Sequence, residues 1–229
     1  MPKFSVVMPT RNRSKIIGES IKSIIDQTFS DWEFIIVDDS DEDDGTSKIV
    51  NDFNDRRIKY HQMPKKNGSG IACARNFGNA LAIGEYIVVA DSDDINYPDR
   101  LELTLQAFKG GADVVYGHYD EWNPDTDEIK KSSGQYEPRD FNLEYFKNYD
   151  FIPHPTTAYK RQIALDFPYN SFFRKAEDYD LFSRLAVYGF KFYFINKQIV
   201  KYRRHSGSIT YTTDSFDYDQ KMREFRGWK

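Results

Sequence analysis

Apolar and polar positions alternate in blocks along the first half of the chain. Short runs rich in β-branched residues at Phe4–Met8, Glu33–Val37, Ile58–His61, Tyr86–Ala90 and Ala112–Gly117 read as strands. Helical spacing fills the intervals. Ile17, Ile21, Ile24 and Ile25 share one face, predicting a helix from an N-cap at Ser14 to about Gln27. Ile49, Val50 and Phe53 predict a short helix, residues 71–82 a longer one, and Leu101, Leu105 and Phe108 another that starts at Pro98. Pro64–Gly70 is rich in turn residues. Such alternation predicts an α/β fold with a mostly parallel central sheet flanked by helices.

The second half is less regular. Residues 123–134 are polar and predict a hairpin tip or mobile loop. Leu181, Phe182, Leu185 and Ala186 share a face of a helix predicted from Glu177 to about Tyr188. Lys191–Ile195 and Ile199–Tyr202 predict two more strands. No repeat or low-complexity linker separates the halves, 1–117 and 118–229, so one continuous body is expected.

Composition narrows the function classes. A net charge of −4 argues against a nucleic-acid partner. The single cysteine, Cys73, excludes an internal disulfide framework and a Cys-based zinc site. No apolar run approaches the length of a membrane span, and the amino terminus leads into a strand rather than a signal peptide. A cytoplasmic location is therefore expected. The run Lys221–Lys229 reads as a plain helix end, with peripheral contact at the inner face of a membrane as the alternative. The Asn67-Gly68-Ser69 sequon carries no weight without a secretory signal. Many of the Tyr and Phe residues fall after residue 115, either as core or as the lining of a sugar groove.

The chemistry concentrates at strand ends. Tyr86–Ala90 runs directly into Asp91-Ser92-Asp93-Asp94, where crowded carboxylates repel one another. A cation or altered protonation must offset that repulsion. Hard divalent cations take oxygen ligands, and Mg²⁺ in particular combines one or two carboxylates with substrate phosphates. The strand before Asp38 and Asp39 is acidic at its end too. Ligands of open α/β sheets bind outside the carboxyl ends of strands, so both ends point at one crevice. The plain alternative is an acidic turn followed by a helix cap. Pro9-Thr10-Arg11-Asn12-Arg13 stands where a dinucleotide-binding G-x-G-x-x-G would be, and neither a P-loop nor a G-x-S-x-G elbow is present.

The segments Ser5–Asn12, Ile36–Ser40, Ala74–Gly78, Gly84–Asp94, Pro98–Leu101, Glu177–Leu181 and Arg204–Ser208 together resemble the inverting glycosyltransferases of family 2, in that family's order. Over its first hundred residues the chain is especially similar to the spore-coat members found in bacilli. The resemblance implies a GT-A (Rossmann-like) three-layer αβα domain with a donor half, 1–117, and an acceptor half, 118–229. It also implies metal-dependent single displacement, with Mn²⁺ or Mg²⁺, from a UDP- or dTDP-sugar to a hydroxyl of a glycan, lipid-linked or other acceptor.

By that resemblance Asp39 accepts the imide N–H of uracil or thymine, a task suited to an ionised carboxylate. Pro9, Thr10 and Arg11 bracket base and ribose. Arg75 approaches the base or diphosphate, with a helix–helix salt bridge as the plain alternative, and Asp91 approaches the ribose or uracil side. Asp93 ligates metal, and Asp94 either ligates metal or caps the next helix. Asp178 is the catalytic base, and Glu177 either binds acceptor or caps its helix. His205 completes the metal shell or, with Arg204, belongs to a basic loop over the diphosphate. Two alternatives stand beside this reading. One is a non-catalytic nucleotide-sugar or glycan-binding module, which would be marked by loss of D-x-D or the base. The other is a D-x-D phosphotransferase, whose acidic pair should follow the first strand and not the fourth.

Overall fold

A computed structural model describes residues 1–64, 70–132, 137–173, 175–205, 220–221 and 223–228. The first half contains β1 (Phe4–Thr10), α1 (Ile17–Ile25), β2 (Trp32–Asp38), α2 (Thr46–Asp52), β3 (Ile58–Gln62), α3 (Gly70–Leu81), β4 (Tyr86–Val89), β5 (Ile95–Asn96) and α4 (Arg100–Lys109). The second contains β6 (Val114–Asn123), β7 (Glu128–Lys131), α5 (Leu143–Phe146), a 3₁₀ turn (His154–Thr156), β8 (Ala158–Lys160), α6 (Arg161–Asp166), α7 (Glu177–Val187) and β9 (Phe192–Arg203).

Parallel strands covered on both faces read as continuous apolar runs, and β1, β2 and β4 are buried along their whole lengths. Val7 of β1 pairs with Ile35 on one side and Val89 on the other. Alternation sends Phe4, Val6 and Met8 to one face, against α1, α2 and α4. Val7, Ile35 and Val37 face the other way, against α3, α6 and α7. Helices on both faces of one sheet give the expected three-layer αβα architecture. Gly78 lets α3 sit close on the sheet: a Cβ there would lie 2.5 Å from Val7 Cγ1 and 3.2 Å from Val37 Cγ2.

Strand order is β3-β2-β1-β4-β8-β6-β9-β5, with β7 paired to β6. The first-half strands β1–β4 are mutually parallel; β8 enters antiparallel between β4 and β6, so the whole sheet is mixed. β6 continues unbroken past residue 117, with register shifts at Gly117 and His118.

Local differences from the sequence pattern have physical reasons. Ser14 does not cap α1: its N–H donates to Asp44 Oδ2 at 3.1 Å, and the helix begins only at Ile17. Pro98 precedes α4 and gives its carbonyl to the Thr28 N–H at 2.9 Å. The two strands expected at 191–202 are one, because the polar interval around Asn196 is absorbed as an irregularity opposite Gly117 and His118. The polar segment after Asn123 is the β6–β7 turn. Residues 65–69 of the turn-rich segment, including the sequon, lie outside the described residues, as do 133–134 and Ser206–Ser208. Met222 and Lys229 of the carboxyl-terminal run also lie outside them. No described helix is long and apolar enough to cross a membrane. Tyr116, Phe146, Phe151, Tyr159, Tyr179 and Phe182 are core, the first of the two roles open to the late aromatics.

Candidate active site

β1, β2 and β4 run side by side in the same direction, so the turns after them form one rim. Pro9 and Thr10 close β1 and are buried. The Thr10 carbonyl takes the Asp39 N–H at 2.9 Å, which fixes the backbone of the β2 turn against β1. The two aspartates after β2 diverge. Asp38 faces inward and accepts the Ser40 N–H at 2.9 Å and the Tyr60 hydroxyl at 2.7 Å. Asp39 lies 3.9 Å from Arg11 Nη1, while Arg11 Nη2 reaches Asp41 at 2.5 Å.

The turn after β4 carries the acidic cluster. Asp91 Oδ1 is 3.3 Å from Arg75 Nη2. Asp93 Oδ2 lies 3.1 Å from His205 Nε2 and 3.6 Å from Arg13 Nη2. Asp94 is buried; its Oδ1 accepts the Arg203 N–H at 2.9 Å, and its Oδ2 is buried without a hydrogen-bond partner. Asp94 does not cap the next helix, because β5 intervenes and Asp99 occupies the position before α4. Burial, reinforced by Asp93 and Asp91, holds the Asp94 carboxyl well above the usual range. Burial raises Asp91 as well, against the pull of Arg75.

Cations brace this cluster from behind. Arg203 donates from Nε to the Asp93 carbonyl at 2.7 Å and from Nη2 to Glu19 at 2.6 Å, with Trp122 stacked 4.4 Å away. Arg100 is fully buried and donates to the Val89 carbonyl at 2.8 Å and the Thr157 carbonyl at 3.2 Å. Burial pushes it down to about 9, opposed by Asp91 and Asp94.

Arg75 links the turn after β4 to the start of α7. Ala176 adopts a left-handed conformation (φ 58°), and Glu177 follows, buried. Glu177 stands in the first turn of α7, and its carboxylate pairs with Arg75 Nη1, so one guanidinium spans the β4 turn and α7. Burial works against the charge on Arg75, but Glu177 and Asp91 outweigh it and hold it protonated. Burial also pushes Glu177 up to about 7, opposed by Arg75 and reinforced by Asp178. Asp178 accepts the Tyr179 N–H at 2.9 Å, and burial raises its carboxyl against Arg75 and that N–H. Arg204 turns away, pairing with Glu121 on β6, whereas His205 reaches Asp93.

The site thus gathers Asp91, Asp93, Asp94 and His205 around the turn after β4 and Glu177 and Asp178 at the start of α7, with Arg75 bridging Asp91 to Glu177. Asp39 and Arg11 stand on the β2 side of the rim. Among the described residues no group of three His, Cys, Asp or Glu side chains is placed to hold a metal ion by itself. A hard cation that takes one or two carboxylates and completes its shell with phosphate does not need one, and the partnerless Asp94 Oδ2 fits such a cation. Arg13, Arg100 and Arg203 did not stand out in the sequence. Arg13 lies in the quoted Pro9–Arg13 run, Arg100 in the quoted Pro98–Leu101 segment, and Arg203 directly before Arg204, but none carried a role of its own.

An αβα sheet of this order with acidic strand ends opposite a carboxylate-bearing helix is the frame of a GT-A glycosyltransferase. The chain belongs to glycosyl transferase family 2, whose sequence profile matches residues 5–176. Asp178 falls just past that match. The chain is 31% identical over 209 residues to an uncharacterised glycosyltransferase of Methanocaldococcus jannaschii, covering 88% of this chain and 71% of that protein. Its fold matches S. aureus TarS solved with UDP-GlcNAc, at a TM-score of 0.78 and 20% identity over 96% of this chain and 65% of that one. It also matches a mannosyltransferase of Pyrobaculum calidifontis solved with GDP-Man and Mn²⁺, at a TM-score of 0.68 and 18% identity over 92% and 59%.

Proposed function

We propose that this glycosyltransferase is metal-dependent and inverting, and moves a sugar from a UDP- or dTDP-sugar to a hydroxyl of a glycan or lipid-linked acceptor. The observation that carries the reading is the Arg75 bridge, which couples the acidic turn after β4 to Glu177 beside Asp178. The first half serves the donor and the second supplies the base and acceptor surface. The expected setting is the cytoplasm, including the inner face of its membrane.

In this reading Asp39 takes the imide N–H of the base, with Pro9, Thr10 and Arg11 around base and ribose and Asp91 on the ribose side. Asp93, with Asp94 or His205 and the donor's phosphates, would hold Mn²⁺ or Mg²⁺, which when bound would neutralise charge developing on the departing diphosphate. The Mn²⁺ complex of the P. calidifontis neighbour supports a divalent ion, and the UDP-GlcNAc complex of TarS supports a uridine donor. Asp178 takes the proton from the attacking hydroxyl. Burial strengthens its hold on a proton, the direction a general base needs. Glu177, tied to Arg75, holds the start of α7 in place beside it.

The test is transfer from a panel of nucleotide sugars to mixed acceptors, with Mn²⁺ or chelator, followed by the anomeric configuration of the product. A UDP- or dTDP-sugar is expected to transfer with inversion and only with metal. Asp178→Asn should keep UDP and Mn²⁺ binding and lose about 10²–10⁴-fold in turnover. Retained configuration would overturn single displacement; native turnover in Asp178→Asn would overturn the base.

A further inference from the structure

Asn76 follows Arg75 on α3, and the transfer chemistry gives its side chain no part. Its Nδ2 donates to the Tyr169 carbonyl at 2.8 Å, and its Oδ1 accepts the Tyr169 N–H at 2.8 Å. One amide therefore satisfies both backbone groups of a distant residue, as a neighbouring strand would. Tyr169 lies in the link between α6 and α7, the segment that delivers Glu177 and Asp178 to the crevice.

The rest of Tyr169 is fixed as well. Its hydroxyl meets His154 Nε2 at 2.8 Å and the Tyr159 hydroxyl at 3.0 Å, and both partners are buried. Its ring lies 5.6 Å from the Arg75 guanidinium. Arg184 of α7 donates to the neighbouring Pro168 carbonyl at 2.7 Å. The link is thus pinned to α3, to β8 and to α7 within two residues, and Arg75 sits over the pin. A side chain bonded to the backbone in both directions resists sliding and rotation together, which a single hydrogen bond does not.

We propose that Asn76 is a positioning residue for transfer: by docking the α6–α7 link on α3, it sets where Asp178 stands relative to Arg75 and Asp91. The proposal rests on Asp178 as the base. Asn76 acts through the backbone of Tyr169 and touches neither donor nor acceptor. It gives the Ala74–Gly78 segment a division of labour, with Arg75 bridging, Asn76 docking and Gly78 permitting close packing on Val7.

The experiment compares Asn76→Ala, Asn76→Asp, Asp178→Asn and the double variant Asn76→Ala/Asp178→Asn. UDP affinity with Mn²⁺, melting temperature, kcat and both KM values are measured. Asn76→Ala should bind UDP as the native protein does and lose about 10²-fold in kcat, the scale of a misplacement of roughly 1 Å. Asn76→Asp keeps the acceptor for the Tyr169 N–H but sets a second acceptor against the Tyr169 carbonyl, so it should lose kcat as well while UDP affinity holds. It also carries the test if the alanine variant does not fold. The double variant should be no slower than Asp178→Asn, because both changes act through one group. Native kcat in Asn76→Ala beside an inactive Asp178→Asn overturns the positioning role alone. Multiplying losses in the double variant do the same, as does a kcat loss matched by equal loss of UDP affinity. Native turnover in Asp178→Asn overturns the base assignment and this proposal with it.

Discussion

Replacing Arg75 with methionine removes the charge at the centre of the crevice while keeping most of the stem's bulk. The side chains of Arg75 and Glu177 are 6% and 8% exposed, so water cannot substitute for the lost cation. Glu177 and Asp91 are left facing Asp178 without their shared counterion. Breaking a buried pair by deleting one partner costs about 3–5 kcal/mol. For a chain of this size each kcal/mol lowers the melting temperature by about 2–4 °C, so a fall of roughly 6–20 °C is expected.

Protonation limits that loss, and the pH dependence follows from it. A carboxylate whose folded pKa is raised supports stability below its unfolded value and loses that support as pH rises through the folded one. In the native protein Glu177, pushed up by burial, finishes this loss at about 7. Without Arg75 its folded value rises further, so only the variant continues to lose stability above that point. The deficit of Arg75→Met should therefore be larger at about pH 8.5 than at about pH 6. Calorimetry or urea unfolding at both pH values measures it. Removing the carboxylate as well, in Arg75→Met/Glu177→Gln, should recover much of the loss, giving a coupling energy of about 1–3 kcal/mol. A single variant within about 0.5 kcal/mol of native at the higher pH, or strictly additive losses, would refute the bridge as the organiser of the site.

The same bridge marks the boundary of what could be read from the chain. β1, β2 and β4 were legible because burial on both faces makes them apolar throughout, and α1 because Ile17, Ile21 and Ile24 recur at helical spacing. β8 was not legible: three residues carry no period, and its pairings lie with strands far off in sequence. β9 looked like two strands because its polar middle is accommodated by an irregular register. In the site, Asp39 and the Asp91–Asp94 cluster stood out because each ends an apolar strand. Arg75 was read toward the base or diphosphate, or else into a helix–helix salt bridge; it joins Asp91 to Glu177, and the sequence did not point to that partner 102 positions away. Nothing local encodes such a pairing; the sheet's topology brings α3 and α7 together on one face. Asn76 was visible only as part of a segment, since its partner is a backbone.

Two further predictions probe the two ends of the sheet. At the amino-terminal end, burial raises Glu33, but Lys59, the Ser5 hydroxyl and the Ile83 N–H outweigh it and hold the carboxyl below its usual 4.5. Its support is present above that value and lost as pH falls through the lowered one, so Glu33→Gln should flatten the acid limb of the stability curve. Acid unfolding of native and variant that superimposes below about pH 4.5 would show that this network does not titrate with folding. At the carboxyl end, Asp39 tests the donor assignment, because uracil and thymine present an N–H where cytosine presents an acceptor. Two acceptors facing each other lose a hydrogen bond to a charged group, about 1.5–3 kcal/mol. UDP and dTDP should therefore bind about 10- to 10²-fold more tightly than CDP by calorimetry with Mn²⁺. Asp39→Ala should narrow that gap by weakening UDP and not by strengthening CDP, since its side chain is only 13% exposed and leaves a void without a donor. Tighter native binding of GDP than of UDP would show that the β2 turn reads a different base.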